Sequence, residues 1–427
     1  MGNILIIVFG FLVILNVPLG VALGLASLVT LAVTQKVPLF LVVQRMFTSL
    51  DSFPLMAIPL FMIAGRFMER GGISRRLIKL ASNIVGPFTG GLALVSVLAC
   101  MFFAAISGSS PATVVAIGSI MVPAMVQAGY DKDFALAIMA AAGTIGVIIP
   151  PSIPFVTYGV TMNASIGQLF LAGIIPGVIM GLSLMIVCYI IAKKRGYKGA
   201  ERPTFRGFLM SFKDSIWGLL MPAIILGGIY GGVFTPTEAA AVACVYGLII
   251  GAFVYKELTF KDFIKGFAEA GVTSAMVMLI IATATAMGWI MTTEQIPVKV
   301  ANYIMSVSSN TTILLLLINI ILLITGCLME LNAAIIILGP IFLPLIMQGN
   351  IDLIHFGVIM VVNMTLGLLT PPLGVNLFVA GGLDQEVGFN KIVRAVIPFL
   401  TILIVDLFLF TYIPKLSLLL IDVFQLK

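Results

Sequence analysis

The chain has 427 residues, of which 61% are hydrophobic and only 9% are charged. Because soluble domains carry about 25% charged residues, this composition excludes a soluble globular protein and predicts an integral membrane protein. The net charge of +6 comes from basic residues that flank apolar runs, so it indicates membrane topology and no nucleic-acid partner.

Histidine and cysteine are too sparse to predict a catalytic centre. His355 is the only histidine, and the four cysteines lie inside apolar segments without a Cys-x-x-Cys spacing (Cys100, Cys188, Cys244 and Cys327). A zinc site or a Ser-His enzyme is therefore not expected, and the cysteines are interpreted as small buried residues. We predict no catalytic residue and no cofactor.

Apolar runs near the ~20 residues needed to cross a bilayer recur from Ile4 to Tyr412, which predicts an all-α polytopic membrane protein. The first run follows Met-Gly-Asn without a preceding Lys or Arg, so we interpret it as a retained span and not as a secretory signal. The stretches "VVQRMFTSLDSF" and Lys256–Gly271 are predicted to be interfacial amphipathic helices. The spans predicted around them are residues 4–16, 19–34, 54–70, 215–234, 237–255 and 271–292.

The two halves of the sequence repeat each other. A single shift of the chain along itself, without a gap, matches Ala112 with Ala333, Gly118 with Gly339, Pro123 with Pro344, Gly146 with Gly367, and Pro150-Pro151 with Pro371-Pro372. Upstream, a shift larger by two matches Gly65 with Gly288. The longest polar stretch of the sequence separates the halves. We therefore predict a first repeat over residues 1–192, a linker over 193–213 and a second repeat over 214–427.

The basic residues predict which side of the membrane each segment faces. With the linker on the cytoplasmic side, 18 of the 23 Lys and Arg residues fall inside and five fall outside (Lys36, Arg45, Lys299, Lys415 and Lys427). This bias places both termini on the outer side and gives each repeat an odd number of crossings, so the repeats are inverted. Inverted-topology repeats are typical of secondary transporters, which bind their substrate near the midplane at discontinuous helices.

Two pairs of apolar segments are too short to span. Leu92–Ile106 and Pro111–Met125 are each about 22 Å long at 1.5 Å per residue, against a hydrocarbon core of ~30 Å. "SGSS" separates this pair, and "GCLMELN" separates the equivalent pair of the second half. We interpret the pairs as re-entrant helical hairpins, over about 92–125 and 313–347. Two ordinary short spans joined by tight loops are the alternative.

The two Pro-Pro pairs predict ion sites. Proline has no N–H, so each pair frees the carbonyls four residues earlier, those of Gly146, Val147, Gly367 and Leu368. Converging carbonyls and hydroxyls suit a small hard cation, and without a carboxylate at the first tip Na⁺ fits better than Ca²⁺. The alternative is that the prolines only kink packed helices. We predict one sodium site at Ser107, Ser109, Gly146, Ile149 and Pro151, and another at Gly326, Gly367, Thr370 and Leu373.

Polar residues at the hairpin tips are the candidates for substrate binding. An anionic substrate needs N–H and hydroxyl donors, which helix N-termini concentrate at the tips. The predicted substrate residues are Ser109, Ser110, Asn332 and Asn376.

Three acidic residues have separate expectations. Glu238 in "TPTE" is predicted to close a capping box. Glu330, beside the second tip, could tune the second ion site or the gate, or face solvent. Asp406, in the last span, is expected to pair with a partner subunit or to face water.

Five motifs carry a family resemblance. "SGSSPATVVAIGSIMVPAM", "GTIGVIIPPSIPFVTYGV", "SIGQLFLAGIIPG", "TPTEAAA" and "GLLTPPLGVNLF" resemble the large membrane subunit of tripartite ATP-independent periplasmic (TRAP) transporters, and the resemblance covers almost the whole chain. It implies a sodium-coupled importer of small organic acids in the bacterial inner membrane, with an elevator-type fold in which hairpins and broken spans move against a scaffold. The substrates it implies include C4-dicarboxylates and sialic acids, and overall likeness, without any identified residue, favours sialic acid.

The resemblance also implies two partners on separate polypeptides. One is a smaller four-span membrane subunit, and the other is a soluble periplasmic substrate-binding protein. A stand-alone sodium and anion symporter without partners is the alternative function. An intramembrane serine protease, suggested by "ISGSS", is disfavoured because Ala105 occupies the first glycine of that family's Gly-x-Ser-Gly motif and His355 falls at a predicted outer loop.

Overall fold

The computed structural model describes residues 1–15, 17–199, 204–307 and 310–424, and within these ranges all regular elements are helices. The first half holds α1 (Gly2–Ile14), α2 (Leu19–Thr34), α3 (Phe40–Leu50), α4 (Ala57–Arg70), α5 (Ile73–Val85), α6 (Gly91–Ser107), α7 (Ser110–Gln127), α8 (Lys132–Gly143), α9 (Ile153–Met162) and α10 (Ile166–Arg195). The second half holds α11 (Phe205–Tyr230), α12 (Pro236–Ile249), α13 (Phe260–Thr293), α14 (Ile296–Val307), α15 (Thr311–Leu328), α16 (Leu331–Gln348), α17 (Leu353–Gly367), α18 (Val375–Gly381), α19 (Phe389–Tyr412) and α20 (Lys415–Val423).

Many of these helices suit a bilayer. Within the described ranges, eight are long and apolar enough to cross a membrane, or nine if the bent pair α3–α4 counts as one span. Helices satisfy their backbone hydrogen bonds internally, as the hydrocarbon core requires. The prediction of an all-helical polytopic membrane protein is confirmed.

The third span of the second half differs from the prediction. We expected a separate interfacial helix at Lys256–Gly271, but α13 runs unbroken for 34 residues through that stretch and the following span. In the first half, α3 and α4 are bent by 67° where Pro54 follows the break. Proline removes an N–H and disfavours helical backbone just before it, whereas the second half has no proline inside α13. The prediction of a separate interfacial helix is wrong for the second half.

The linker is shorter than the predicted residues 193–213. Helix α10 continues to Arg195, and its last turn carries three basic residues, which complement the negative end of the helix dipole. Helix α11 begins at Phe205, where the Thr204 hydroxyl accepts a hydrogen bond from the Gly207 N–H at 3.1 Å. Both helices therefore extend into the polar stretch. Residues 200–203 lie outside the described ranges.

The hairpin helices are longer than the apolar segments that predicted them. Helices α6 and α7 have 17 and 18 residues, and α15 and α16 have 18 each. Helices α7, α15 and α16 are among the eight that are long enough to cross a membrane, so the expectation that these segments are too short to span is wrong for them. At the first tip Ser107 and Ser110 are only 4% and 0% exposed, and Leu331 at the second tip is 4% exposed. Loops between ordinary spans run over the surface, because their backbone needs water. The buried first tip fits a re-entrant hairpin, whereas the second tip is only partly buried, since Leu328 is 53% exposed.

The hairpins enter from opposite ends of the bundle, as the contacts of α19 demonstrate. Before α19 begins, Asp384 pairs with Lys132 at 3.0 Å, next to the base of the first hairpin. Where α19 ends, the Tyr412 hydroxyl donates to the Thr312 carbonyl at 3.3 Å, at the base of the second hairpin. A helix of 24 residues is about 36 Å long, so the two bases lie a membrane thickness apart.

The helices form two packed groups. In the first, which we call the scaffold group, α13 contacts α2, α3 and α4, α12 contacts α4, and α11 contacts α5 and α12. In the second, the core group, α8 contacts α6, α7, α18 and α19, while α17 contacts α15, α16 and α19. The groups meet where α5 and α4 contact α6 and where α13 contacts α16.

Ion pairs join segments that the sequence places in the cytoplasm. Arg76 pairs with Glu257 at 2.7 Å, and Lys79 pairs with Asp214 at 3.7 Å. These contacts bring α5, the first part of α11 and the segment just before α13 to one end of the bundle.

Local signals at two helix starts have different outcomes. The capping box predicted at Glu238 is confirmed, since Thr235 and Glu238 exchange both of its hydrogen bonds. The outer-loop position predicted for His355 is wrong, because it lies in the first turn of α17 and is 2% exposed. Asp352 starts that helix by accepting hydrogen bonds from the N–H groups of Ile354 and His355.

The cysteines partly match their prediction. All four are free thiols; Cys100 and Cys188 are buried, while Cys244 and Cys327 are half-buried.

Candidate functional site

A cavity of about 160 Å³ lies between the tips of the two hairpins. The first tip contributes residues 108–111 and the second contributes residues 330–332. The rest of the wall comes from the Pro-Pro regions and the facing scaffold helices, through Val147, Ile153, Pro154, Leu368, Val375, Met62, Thr273 and Val277. Three of the predicted substrate residues, Ser109, Ser110 and Asn332, therefore face one shared space.

Each tip is bonded to the broken span of the opposite half. At the first tip, Ser110 and Asn376 are fully buried, and Asn376 Nδ2 donates to Ser110 Oγ at 2.8 Å and to the Ala140 carbonyl at 2.9 Å. At the second tip, the Thr157 hydroxyl donates to Asn332 Oδ1 at 3.1 Å. Asn376 is not part of the cavity wall, so the structure places this predicted substrate residue behind the wall, as a support for Ser110.

Glu330 is the N-cap of α16 and also lines the cavity. Its carboxylate accepts hydrogen bonds from the Ala333 N–H at 3.0 Å and from Asn332 Nδ2 at 2.8 Å. The partial positive charge of a helix N-terminus stabilises such a carboxylate. Glu330 therefore orients the side chain of Asn332, and its influence on an ion stays a prediction.

Oxygen atoms crowd the first tip. Ser107 Oγ lies 2.9 Å from Thr113 Oγ1, which donates to the Ser109 carbonyl at 2.8 Å. Gly146 packs so closely here that a Cβ atom on it would lie 2.5 Å from Thr113 Oγ1 and 2.8 Å from the Ser109 carbonyl oxygen. The Pro151 carbonyl oxygen lies 2.9 Å from the Cβ position of the tip glycine. Hydroxyl and carbonyl oxygens from two segments thus meet here, in a set suited to a small hard cation.

Ile149 is the remaining residue of the first predicted site. Its side chain packs toward α10, where it faces Gly177. The structure brings the other four predicted residues to the tip, and Ile149 supports them from behind.

At the second tip, two glycines bring α15 and α17 into backbone contact. A Cβ atom on Gly367 would lie 2.3 Å from the carbonyl carbon and oxygen of Gly326, so this approach requires glycine at position 367. The Leu373 N–H donates to the Cys327 carbonyl at 3.2 Å, next to Gly326. The Thr370 N–H donates to the Gly367 carbonyl at 3.1 Å. The four residues of the second predicted site therefore belong to one backbone cluster.

Most of the carbonyls that the prolines were expected to leave unpaired have a hydrogen-bond partner. The Val147 carbonyl accepts from the Ser152 hydroxyl at 2.5 Å, and the Leu368 carbonyl accepts from the Asn376 N–H at 3.0 Å. With the Gly367 bond above, three of the four carbonyls have a partner, so that expectation is wrong for them. A carbonyl oxygen has two lone pairs, so one hydrogen bond leaves it able to ligate an ion. Both Pro-Pro peptide bonds are cis.

Asp406 lies inside the core group. Its side chain is between α19 and α10, is 3% exposed, and accepts a hydrogen bond from the Ser183 hydroxyl at 2.9 Å. The expectation of a carboxylate that faces water or a partner subunit is wrong for this structure, because α10 covers the residue.

Sequence reasoning missed three threonines. Thr113 follows Ser109 by one helical turn, a spacing at which threonine hydroxyls bond the carbonyl four residues earlier, so a local signal was present. Thr157 and Thr273 reach the site only through contacts between distant segments, which no local pattern reveals.

The comparison with known families decides the class of protein. The family described as tripartite ATP-independent periplasmic transporter, DctM component, matches residues 5–416. The chain belongs to this family. The resemblance found in the motifs is confirmed, and the matched relatives are named as transporter permeases and not as enzymes.

Three relatives illustrate the range of named substrates among TRAP permeases. The isethionate TRAP transporter permease protein DctMQ of Oleidesulfovibrio alaskensis is 49% identical over 95% of this chain, which spans 64% of that relative's length. The C4-dicarboxylate large permease protein DctM of Pseudomonas aeruginosa is 45% identical over 93% of each chain. The sialic acid large permease protein SiaM of Vibrio cholerae is 39% identical over 98% of each chain.

Two solved transporter structures share the fold of this TRAP permease. The Alcanivorax borkumensis YdaH transporter matches with a TM-score of 0.62 at 16% identity, over 87% of this chain and 89% of that one. Neisseria gonorrhoeae MtrF matches with a TM-score of 0.56 at 13% identity, over 88% and 84% of the two chains. At such identities the likeness concerns the fold alone.

Proposed function

We propose that this TRAP permease couples the uptake of sodium to the import of a small organic anion. The observation that carries the proposal is the cavity between the two hairpin tips, with a cluster of hard oxygens beside the first tip and a backbone cluster beside the second. Substrates and coupling ions of inverted-repeat transporters bind at discontinuous helices. A cation at each tip would add positive charge beside the cavity, so each ligand would increase the affinity for the other.

Helix N-termini supply the anion-binding electrostatics. Helices α7 and α16 both begin at the cavity wall, at Ser110 and Leu331. Each N-terminus carries roughly half a positive elementary charge. The cavity wall, all of it in the described part of the chain, includes no Lys or Arg and does include Glu330. The two sodium ions would therefore provide the positive charge that the side chains do not.

The proposed substrate is a compact sulfonate or C4-dicarboxylate. The isethionate relative shares 49% identity with this chain, the C4-dicarboxylate relatives share 39–45%, and the sialic acid relatives share 39%. This order does not favour the sialic acid expected from overall likeness. Serine hydroxyls and helix N-termini bind carboxylate and sulfonate groups without distinguishing them, so the cavity is compatible with either acid.

We further propose that the chain works in a bacterial inner membrane with two separate partners. These are a four-span membrane subunit and a periplasmic substrate-binding protein, as expected for a tripartite family. The distribution of basic residues supports a cytoplasmic linker with both termini on the periplasmic side.

A difference between the halves supports an elevator mechanism. Gly65 of α4 packs against the first tip, where a Cβ atom would lie 3.3 Å from the Ser107 Cα. Its repeat equivalent, Gly288 of α13, would have nothing within 4 Å of a Cβ atom. Gly288 instead lines a narrow cleft of about 10 Å³ with Ile336 and Pro340 of α16.

We interpret the different surroundings of Gly65 and Gly288 as a displacement of the core group along the scaffold group. Ile336 and Pro340 lie five to nine positions beyond Leu331, which is roughly 10 Å along α16 from the second tip. The first tip is level with its glycine, whereas the second has passed its own glycine toward the linker end. In the opposite state, by symmetry, the second tip would be level with Gly288 and the first would have moved away from Gly65. The core group would then travel by roughly 10 Å, the same distance along the helix axis.

A stand-alone symporter is the alternative function. The likeness to the two solved transporters concerns the fold alone and does not favour it. Dependence on partners distinguishes the two functions, because a stand-alone symporter transports substrate without a binding protein or a small subunit.

Uptake by proteoliposomes tests the proposal. The chain is reconstituted with its small subunit, the binding protein is added outside, and uptake of isethionate, succinate and sialic acid is measured under an imposed sodium gradient. We expect uptake of isethionate or succinate only when the gradient and both partners are present. Undiminished uptake without the binding protein would establish the stand-alone symporter instead.

A further inference from the structure

A second, smaller cavity lies beside the first hairpin tip. It is a partly open cavity of about 40 Å³, lined on one side by Ser107 and Ser109 and on the other by Arg66 and Glu69 of α4. Arg66 and Glu69 form an ion pair at 2.9 Å, and their side chains are 29% and 21% exposed. The cavity therefore presents a cationic side chain next to the tip.

The two cavities are neighbours with a shared wall. Met62, Ser109 and Thr273 line both of them. Met62 lies one helical turn before Arg66, so the second cavity continues along α4 toward the end of the bundle where Arg76 pairs with Glu257. A ligand that left the main cavity in this direction would pass Met62 and Thr273 and then meet Arg66.

Arg66 has the chemistry to hold an anion there. A guanidinium carries five N–H donors in a planar fork that matches a carboxylate or a sulfonate, and the hydrogen bond to Glu69 uses one of them. The hydroxyls of Ser107 and Ser109 face the same space. The main cavity wall, by contrast, contains no basic side chain, so an anion would first meet one in the second cavity.

The cleft at the equivalent position in the second half has no basic side chain among the described residues of its wall. The repeat alignment that matches Gly65 with Gly288 places Trp289 at the position of Arg66. The cleft beside Gly288 is lined by apolar residues and one threonine, Thr292. Arg45 lies over the Trp289 ring, 5.6 Å from its centroid, and is not part of that cleft.

From this one-sided arrangement we propose that the Arg66 cavity is a second anion-binding site, at which the organic acid pauses between the main cavity and the cytoplasm. The site rests on the proposed function, since it presumes an anionic substrate and a cytoplasmic linker. Arg66 contacts the carboxylate or sulfonate of the acid, and Glu69 holds the guanidinium in position. The site governs release to the inside and does not select the acid on the outside.

The substrate concentration for half-maximal exchange, measured from each side of the membrane, tests the site. The complete transporter, with its small subunit and binding protein, is reconstituted in one orientation, and isethionate and succinate are used as probes. For Arg66→Gln we expect the concentration for half-maximal exchange from the cytoplasmic side to rise about tenfold, the usual effect of a lost charge-assisted hydrogen bond. From the outside the change should stay below twofold, and Arg66→Lys should fall in between, because a lysine keeps the charge but not the fork.

Two controls separate this role from a structural one. Arg45→Gln removes the cation that lies over Trp289, the second-half counterpart of Arg66, and should leave half-saturation on both sides unchanged. Arg66→Lys and Glu69→Gln should keep the wild-type thermal unfolding temperature. Equal shifts on both sides for Arg66→Gln, or none beyond those of Arg45→Gln, would overturn the second site. A wild-type complex that carried no organic acid would refute the proposed function itself, a result independent of the Arg66 variants.

Discussion

Ser110 and Asn376 are 266 positions apart in the sequence, yet Asn376 Nδ2 donates to Ser110 Oγ at 2.8 Å in the fully buried interior. The bond joins the first hairpin tip to the short helix that follows the second Pro-Pro pair. Thr157 and Asn332 make the reciprocal connection at 3.1 Å. These crossed bonds connect the two halves at the cavity, so both tips and both broken spans belong to one packed unit.

Asn376→Ala should destabilise the protein by about 1–3 kcal/mol, because Ser110 Oγ and the Ala140 carbonyl each lose a buried hydrogen bond. The shift is measured as the thermal unfolding temperature in detergent. Gln44→Ala, on the exposed face of α3, is the control and should change little. Equal unfolding temperatures for the two variants would contradict the structural role of Asn376.

Gly146→Ala and Gly367→Ala should each weaken sodium dependence. A methyl group at Gly146 would lie 2.5 Å from Thr113 Oγ1, and one at Gly367 would overlap the backbone of Gly326. We expect the sodium concentration for half-maximal uptake to rise about tenfold or more, since displaced oxygens ligate poorly. Gly227→Ala, where a methyl group meets nothing within 4 Å, is the control. If the dependence of uptake on sodium concentration were unchanged in both variants, the tips would not be the ion sites.

Gly288→Leu should slow transport while leaving the present conformation stable. No atom lies within 4 Å of a Cβ atom there, but the elevator mechanism brings the second tip to this position in the opposite state. The control is Gly271→Leu on the same helix, where a Cβ atom likewise meets nothing within 4 Å. Initial uptake rates and unfolding temperatures are compared. Wild-type rates for Gly288→Leu would contradict the proposed travel of the core group.

The ion pairs at the base of the first hairpin predict a pH dependence. Lys132 contacts both Asp384 and Glu386, and its hydrogen bond holds the pKa of the Asp384 carboxyl below its usual range. A lowered pKa in the folded state contributes stability above the unfolded value of about 3.9, and that stability is lost as the pH falls through the folded value.

Asp384→Asn should therefore lower the unfolding temperature at neutral pH, and the difference from wild type should begin to shrink below about pH 4 and vanish once the pH falls below the lowered pKa of Asp384. Because the pair is partly exposed, the effect should be small. Asp51→Asn, which has no ion pair within the described residues, serves as the control. A difference that persisted unchanged at about pH 3 would assign the effect of Asp384→Asn to something other than charge.

Most of the architecture was predictable, because the length and apolarity of a segment identify a membrane helix in the sequence. The repeat shift located Gly146 and Gly367, which both lie against a hairpin tip. Interactions that depend on tertiary packing were not predictable. The burial of Asp406 against Ser183 depends on how α10 meets α19. The unbroken α13 followed from the absence of a proline, a signal that was present but outweighed by the expected symmetry of the repeat.

The cavity residues likewise fall into those that the sequence identified and those that only tertiary packing brings to the cavity. The tip residues Ser109 and Asn332 were identified from their place between short apolar segments, whereas Met62 and Thr273 line the cavity only because α4 and α13 pack beside the tips. Hydrogen-bond accounting along the chain predicted free carbonyls at the Pro-Pro pairs. The structure supplies partners from residues later in the chain, such as the Asn376 N–H for the Leu368 carbonyl.

The initial rate of organic-acid uptake, measured with and without an inward sodium gradient in proteoliposomes that contain the complete transporter, tests the central claim most directly. If sodium drives transport, we expect rapid uptake of isethionate or succinate with the gradient and almost none when sodium is equal on both sides or replaced by potassium. An initial rate that did not depend on the sodium gradient would contradict it.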